Sequence, residues 1–254
     1  MLNKGPHRSS SRLWSTTAWI VGLLCAMLFG YHGVARATNP VRVVSLMTPL
    51  DAAIPFVPQS IFAYSLVYCC ALYPLFVVRH WALFDALVRA YAWLLGLSFA
   101  IFLAFPVSSA PLRPDFATLD LATFSGWGTR LTYHVDPPTN CFPSMHLSFA
   151  VLAMLSAWTI RPAWGQFALP MVLGIAVSIC TMKQHYVADG VGALVLAVPL
   201  WRRYLVRAAA TIGPGERVAA SWRGPAAFAL VVAMFFAAFY SAFVCGWQPW
   251  AHLP

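Results

Sequence analysis

Charge is what this sequence has least of. Only 9% of its 254 residues are Asp, Glu, Lys or Arg, and seven of these are acidic. A water-soluble domain carries about a quarter charged residues, so a soluble globular fold is excluded. The apolar runs also lack the period-two alternation of a membrane-spanning β-barrel. Paired CxxC spacing is missing as well: Cys25, Cys69, Cys70, Cys141, Cys180 and Cys245 lie mostly inside apolar runs, where buried, inert thiols are expected. Cys141 alone falls near chemistry-bearing residues. No internal repeat and no separate soluble domain is visible. The formal charge of +9 would suggest a nucleic-acid partner in a soluble protein. Here the basic residues gather in particular loops, which is a topology signal, and no nucleic acid is expected.

What is there is hydrophobic. The apolar share is 61%, the mean hydropathy is +0.72, and several runs reach the roughly 20 residues that span a bilayer core. The pattern predicts an all-α, polytopic membrane protein. Spans are expected at about 16–34, 52–78, 81–105, 144–160, 167–181, 187–204 and 226–245. The chain then divides into a basic cytoplasmic tail (1–15), a six-helix transmembrane core (16–205), and a basic cytoplasmic loop with an extra, seventh helix (206–254). The first run ends in Ala35-Arg36-Ala37, which fits a signal-peptidase site, but its length favours an uncleaved helix. Either outcome leaves the following loop outside. Asp85 and Arg89 stand four apart in the third span and are expected to pair. The polar segment 106–143 is too long for a tight connection and reads as functional.

With the N-terminus inside, the cytoplasmic segments hold Lys4, Arg8, Arg12, Arg79, Arg161, Arg202, Arg203, Arg207, Arg217 and Arg223. The outer loops hold Arg36, Arg42, Arg113, Arg130 and Lys183, half as many, so the orientation obeys the positive-inside rule. The fourth and sixth spans then both begin at the external face. His146 opens one and His185 precedes the other, so the two imidazoles are expected at one membrane depth. Helix N-termini there favour an anion.

The stretch Lys183-Gln184-His185-Tyr186-Val187-Ala188-Asp189 joins a cation, a histidine and a carboxylate. Residues four apart share a helix face, so Asp189 can hold one nitrogen of His185 and leave the other free for attack or protonation. A lone histidine beside a span end is ordinarily a boundary residue. The second motif, Asp136-Pro137-Pro138-Thr139-Asn140-Cys141-Phe142-Pro143-Ser144-Met145-His146, changes the weighing. Proline and serine make a good helix start. Capping does not call for a histidine in the first turn, and packing does not call for a second one at the same face. His134, Asp136, Asn140 and Arg130 are secondary candidates for head-group contact. Tyr186 and the Trp and Tyr residues at span ends fit an interfacial belt, and Gly190 and Gly192 fit close helix packing.

Pro143-Ser144-Met145-His146 together with His185-Tyr186-Val187-Ala188-Asp189 resembles the type 2 phosphatidic acid phosphatase (PAP2) superfamily. The resemblance covers roughly residues 16–205 and implies a six-helix core to which the seventh span is an addition. The departures from the family pattern are informative. Met145 stands where the family has glycine; the arginine expected before His185 is missing, with Ile179 in its place; and the first motif survives only as Arg113-Pro114. Such divergence resembles the branch of inositol phosphorylceramide synthase-like proteins.

The resemblance implies that His185 is a nucleophile forming a phosphohistidine, that Asp189 orients it, and that His146 is general acid and then base. Arg113, Ser144 and Lys183 would bind the substrate phosphate. The substrate would be a lipid phosphate, and no metal and no cofactor is implied. Water as acceptor gives a phosphatase; a lipid hydroxyl gives a head-group phosphotransferase. Two other readings compete: a metal site, since two His and one Asp can form a facial triad, and a non-enzymatic lipid-binding protein with a decayed site. Short loops and alanine-rich spans point to a bacterial inner membrane, with the site on the periplasmic or extracellular side.

Overall fold

The computed structural model describes residues 10–213 and 221–251. It is all-helical, with no strand among the described residues. Lys4, Arg8 and Arg217, three of the basic residues that set the expected orientation, lie outside the described residues, as does most of the expected 1–15 tail.

Helix α1 runs Ser10–Cys25 and continues through a π-helical turn, Ala26–Gly30, into Tyr31–Ala37. The second apolar run is not one helix. It folds as three short pieces, Ile61–Ser65, Val67–Cys70 and Tyr73–Val77, together termed α2. Proline at 55 and 58 keeps helix out of its first part, so the continuous span expected from residue 52 starts at Ile61 instead. Helix α3 is Trp81–Ala104, α4 is Phe124–Val135, α5 is Met145–Ile160 and α6 is Pro162–Thr181. Helix α7 is Val187–Leu200, continued by Trp201–Val206 and Arg207–Ala210, and α8 is Arg223–Val244.

Four stretches are long and apolar enough to cross a membrane: Thr17–Ala37, Trp81–Ala104, Pro162–Thr181 and Arg223–Val244; α5 is apolar but shorter. A multi-pass membrane protein is what these helices describe. Helix α5 is its centre. It packs against α2, α3, α6 and α7 and is buried along most of its length. Helices α1 and α8 stay largely uncovered by the rest of the chain, as lipid-facing helices do. The polar segment 106–143, expected as loop, contains α4, capped by Thr123 through Gly126 N. Arg89 does not pair with the Asp85 carboxylate. Its Nε donates to the Asp85 carbonyl at 3.2 Å, because both side chains face outward at a helix surface where a local backbone acceptor is nearest.

Two features fix the ends of α5 and α7 against each other. Gly192 of α7 lies on Phe142 and Pro143: a Cβ there would stand 2.8 Å from the Phe142 ring. Gly190 has room, with nothing nearer than 3.7 Å, so only Gly192 is needed for close approach. The Ser144 amide, just ahead of α5, donates to the Asp189 carbonyl of α7 at 3.1 Å.

The turn between α6 and α7 is held from a third side by a short helix, Pro49–Ala53. Its Asp51 closes a capping box with Thr48 and also accepts from Val187 N, the first amide of α7, at 2.7 Å. Burial pushes the Asp51 carboxyl up, but hydrogen bonds from Thr48 and Val187 outweigh that and hold it below the usual range. A depressed carboxyl contributes stability above the unfolded value of about 3.9, and that stability is lost as pH falls through the folded value. Asp51→Ala is therefore expected to cost about 1.5–3 kcal/mol, the worth of hydrogen bonds to a charged group. Thermal unfolding in detergent micelles at pH 7 and at acid pH checks this: the gap between the two proteins should close as the pH is lowered.

Candidate active site

Three local devices aim the residues of the site. Ser144 caps α5, its hydroxyl accepting from Leu147 N, which sets His146 in the first turn. Lys183 takes the left-handed conformation (φ 54°) at the end of α6, which lets the Gln184 and His185 amides both return to the Ile179 carbonyl, at 3.1 and 3.0 Å. This is the ordinary way of ending a helix, and it turns Gln184 and His185 inward. Asp189, in the first turn of α7, accepts from Tyr186 N at 2.8 Å.

His146 and His185, 39 positions apart in the chain, meet: Nδ1 of His146 lies 3.5 Å from Nε2 of His185. His185 is buried, and its Nδ1 is 3.1 Å from Asp189 Oδ2 and 3.1 Å from the Cys141 carbonyl. Both partners accept, so Nδ1 carries the proton and Nε2 presents its lone pair toward His146. Asp189 is fully buried and also accepts from the Cys141 thiol at 2.9 Å. Burial, with the charge and hydrogen bond of Asp189, pushes that thiol well above its ordinary value, so Cys141 is a neutral donor here. Its sulfur, the His185 ring and Asp189 form a cluster of metal-ligand types within 4.8 Å. Each group already has a hydrogen-bond partner in the others.

A second carboxylate stands on the other side of His146. Asp136, buried after α4, accepts from Tyr31 of α1 at 2.5 Å, from Tyr64 of α2 at 2.9 Å and from Gln184 at 3.4 Å. Its Oδ2 is 3.9 Å from His146 Nε2. Burial pushes the Asp136 carboxyl up, but His146, the Tyr31 hydrogen bond, Arg113 and His185 together bring it below the usual range. Asp136 is a carboxylate at neutral pH.

The residues expected to hold phosphate divide. Arg113 lies beside the site: its Nη2 donates to Gln184 Oε1 at 2.5 Å and to the Asp136 carbonyl at 2.8 Å, with its guanidinium over the Tyr133 ring. Its Nε is buried without a partner among the described residues. Ser144 is occupied as a helix cap. Lys183 faces away from the imidazoles, its ammonium donating to the Asp51 and Ile54 carbonyls at 2.8 and 2.5 Å. The N-terminus of α7 is likewise taken, by Asp51 and Asp189. Tyr31, Tyr64 and Gln184 were invisible to sequence reasoning as site residues. The two tyrosines sit in apolar runs, Tyr64 in one that also holds Tyr68 and Tyr73, and Gln184 carries no charge.

Beside His146 opens an apolar cleft of about 310 Å³ between α1, α2, α3 and α5, lined by residues such as Met27, Leu75, Phe84 and Phe149. Tyr31, Asp136 and His146 border it as well, so a hydrocarbon-like space reaches His146, with His185 behind that ring.

A histidine pair at adjoining helix starts, His185 buried and held by a carboxylate and His146 partly buried beside it, within an apolar helical bundle, is an arrangement capable of acid–base and nucleophilic chemistry. The sequence profile of the PAP2 superfamily matches residues 53–201, and the chain belongs to that superfamily. The match includes both histidine motifs and stops short of α1 and α8. No curated protein and no solved structure matches the chain.

Proposed function

We propose that, within the phosphatase or phosphotransferase type of function that membership of the PAP2 superfamily supports, the protein is a lipid-phosphate phosphatase working through a phosphohistidine on His185. The observation that carries this reading is the free Nε2 of His185, buried and facing His146 while Asp189 holds the opposite nitrogen. Nε2 attacks phosphorus as the ester P–O bond breaks, and His146 gives its proton to the departing alkoxide. Water, deprotonated by His146, then attacks the phosphohistidine, releases phosphate and returns the nitrogen lone pair to His185. Asp189 stabilises the imidazolium character that develops on His185. Arg113 supplies positive charge for the phosphoryl oxygens, whereas Lys183 and Ser144 support the turn and helix start that carry the histidines.

At 3.5 Å between Nδ1 and Nε2 the two rings leave no room for phosphorus between them. Substrate therefore approaches from the side of the cleft. The cleft supports a lipid substrate, because its walls are apolar and its polar border includes Tyr31, Asp136 and His146. Transfer to a lipid hydroxyl is the second reading. It is favoured by the loss of the usual cations and separated from the first by which acceptor takes the phosphoryl group.

The test is incubation of the purified protein in mixed micelles with a panel of radiolabelled lipid phosphates, in the presence of a chelator. Inorganic phosphate should appear, and acid quenching should fail to preserve label on the protein whereas alkaline quenching preserves it, as a phosphoramidate requires. A panel that yields neither phosphate nor labelled protein overturns the reading. Label appearing on an added lipid alcohol moves the assignment to transferase.

A further inference from the structure

His146 is faced from α1, α2 and the segments ahead of α5 and α7 by groups that can carry charge or a proton. These are Tyr31 of α1, Tyr64 and Tyr68 of α2, Asp136 ahead of α5, and His185 ahead of α7. Arg113, Cys141 and Asp189 lie one step behind, against Asp136 and His185. The hydrogen-bond directions in this group are constrained. Tyr64 has one hydroxyl proton and gives it to Asp136 Oδ2, so toward His146 Nδ1, 3.2 Å away, it can only accept. Nδ1 of His146 therefore carries hydrogen and points between the Tyr64 oxygen and the free Nε2 of His185. The other nitrogen, Nε2, faces the Asp136 carboxylate at 3.9 Å, which offsets part of what burial and the His185 ring cost a protonated His146.

We propose that Asp136, clamped by Tyr31 and Tyr64, is a positioning residue that fixes the His146 ring with Nδ1–H aimed at the leaving oxygen. The site then contains two histidine–carboxylate pairs with opposite tasks. Asp189 keeps His185 a nucleophile with a free lone pair, and Asp136 keeps His146 an acid with a proton to give. One clamp on Asp136 comes from α1, outside the segment 53–201 that the superfamily profile matches, so this chain completes its acid with a residue from beyond the family core. The inference rests on the phosphatase reading above.

The experiment measures kcat/KM against pH for a lipid phosphate with wild type, Asp136→Asn, Tyr31→Phe and Tyr64→Phe. An acid catalyst loses activity as pH rises through its own protonation midpoint. Removing the nearby carboxylate makes the imidazolium easier to deprotonate, so the alkaline limb should move to lower pH by on the order of one unit in Asp136→Asn. Tyr64→Phe, which frees the Nδ1 direction, should lower kcat about tenfold with little change in KM. Tyr31→Phe should produce a smaller drop of the same kind. A purely structural role would lower activity without moving the limb. If Asp136→Asn superimposes on wild type after scaling, the inference is overturned while the phosphatase reading stands. If Asp136→Asn does not fold, the two phenylalanine variants decide: unchanged kcat in both overturns it. A wild-type protein inactive on every lipid phosphate overturns the phosphatase reading and this inference with it.

Discussion

His185→Ala is expected to bring release of phosphate from a lipid phosphate to background, a loss of about 10⁵–10⁶ in kcat. That is the scale at which other enzymes fail when a nucleophile is removed and only binding remains. The expectation follows from burial as much as from position. His185 is enclosed and its Nε2 faces His146, so among the described residues no neighbouring nucleophile stands ready to replace it. Cys141 is the nearest candidate, but its thiol is held neutral by Asp189. The alanine variant leaves a void of one imidazole in a site whose framework is backbone-to-backbone, through the Ser144 amide and the Asp189 carbonyl. It should therefore fold. Protein that is folded by thermal unfolding in micelles and releases phosphate at the wild-type rate would remove His185 from the mechanism.

His146→Ala should show a smaller loss with a different signature. General acid–base help is typically worth about 10²–10⁴-fold, and that range is expected for an alkyl phosphate, whose alkoxide needs a proton to leave. With p-nitrophenyl phosphate the leaving group needs none, so formation of the phosphohistidine should be nearly spared. Its hydrolysis still lacks a base. The variant should release a burst of about one nitrophenolate per active site and then stall, with phosphate retained on His185. Stopped-flow absorbance reads the burst directly. Equal losses on both substrates, with no burst, would make His146 a packing residue.

Much of this was legible in the residue order, and the limits are physical. Paucity of charge and the length of apolar runs state the solvent, because a bilayer admits only helices or closed barrels. The pair of His185 with Asp189 forms although His185 stands in the turn ahead of α7, off the helix, because Asp189 in the first turn reaches back to the chain that enters it. Asp85 and Arg89 have the same spacing and do not pair, because at an exposed face a backbone carbonyl competes on equal terms. Helix breaks inside the second apolar run escaped hydropathy altogether. Hydropathy measures transfer into hydrocarbon, not whether φ and ψ remain helical around Pro55 and Pro58.

The amino-acid order by itself determined the membrane class, the helical architecture and the local pair of His185 with Asp189, all of which depend on composition or on neighbours within a turn. Only the tertiary structure decided that Tyr31, Tyr64 and Asp136, drawn from three separate parts of the chain, close around His146. It also turned Lys183 toward the carbonyls of Asp51 and Ile54 instead of the imidazoles. Which donors meet a buried acceptor depends on how helices pack, and a uniformly apolar helix surface records no preference for the partner it will face.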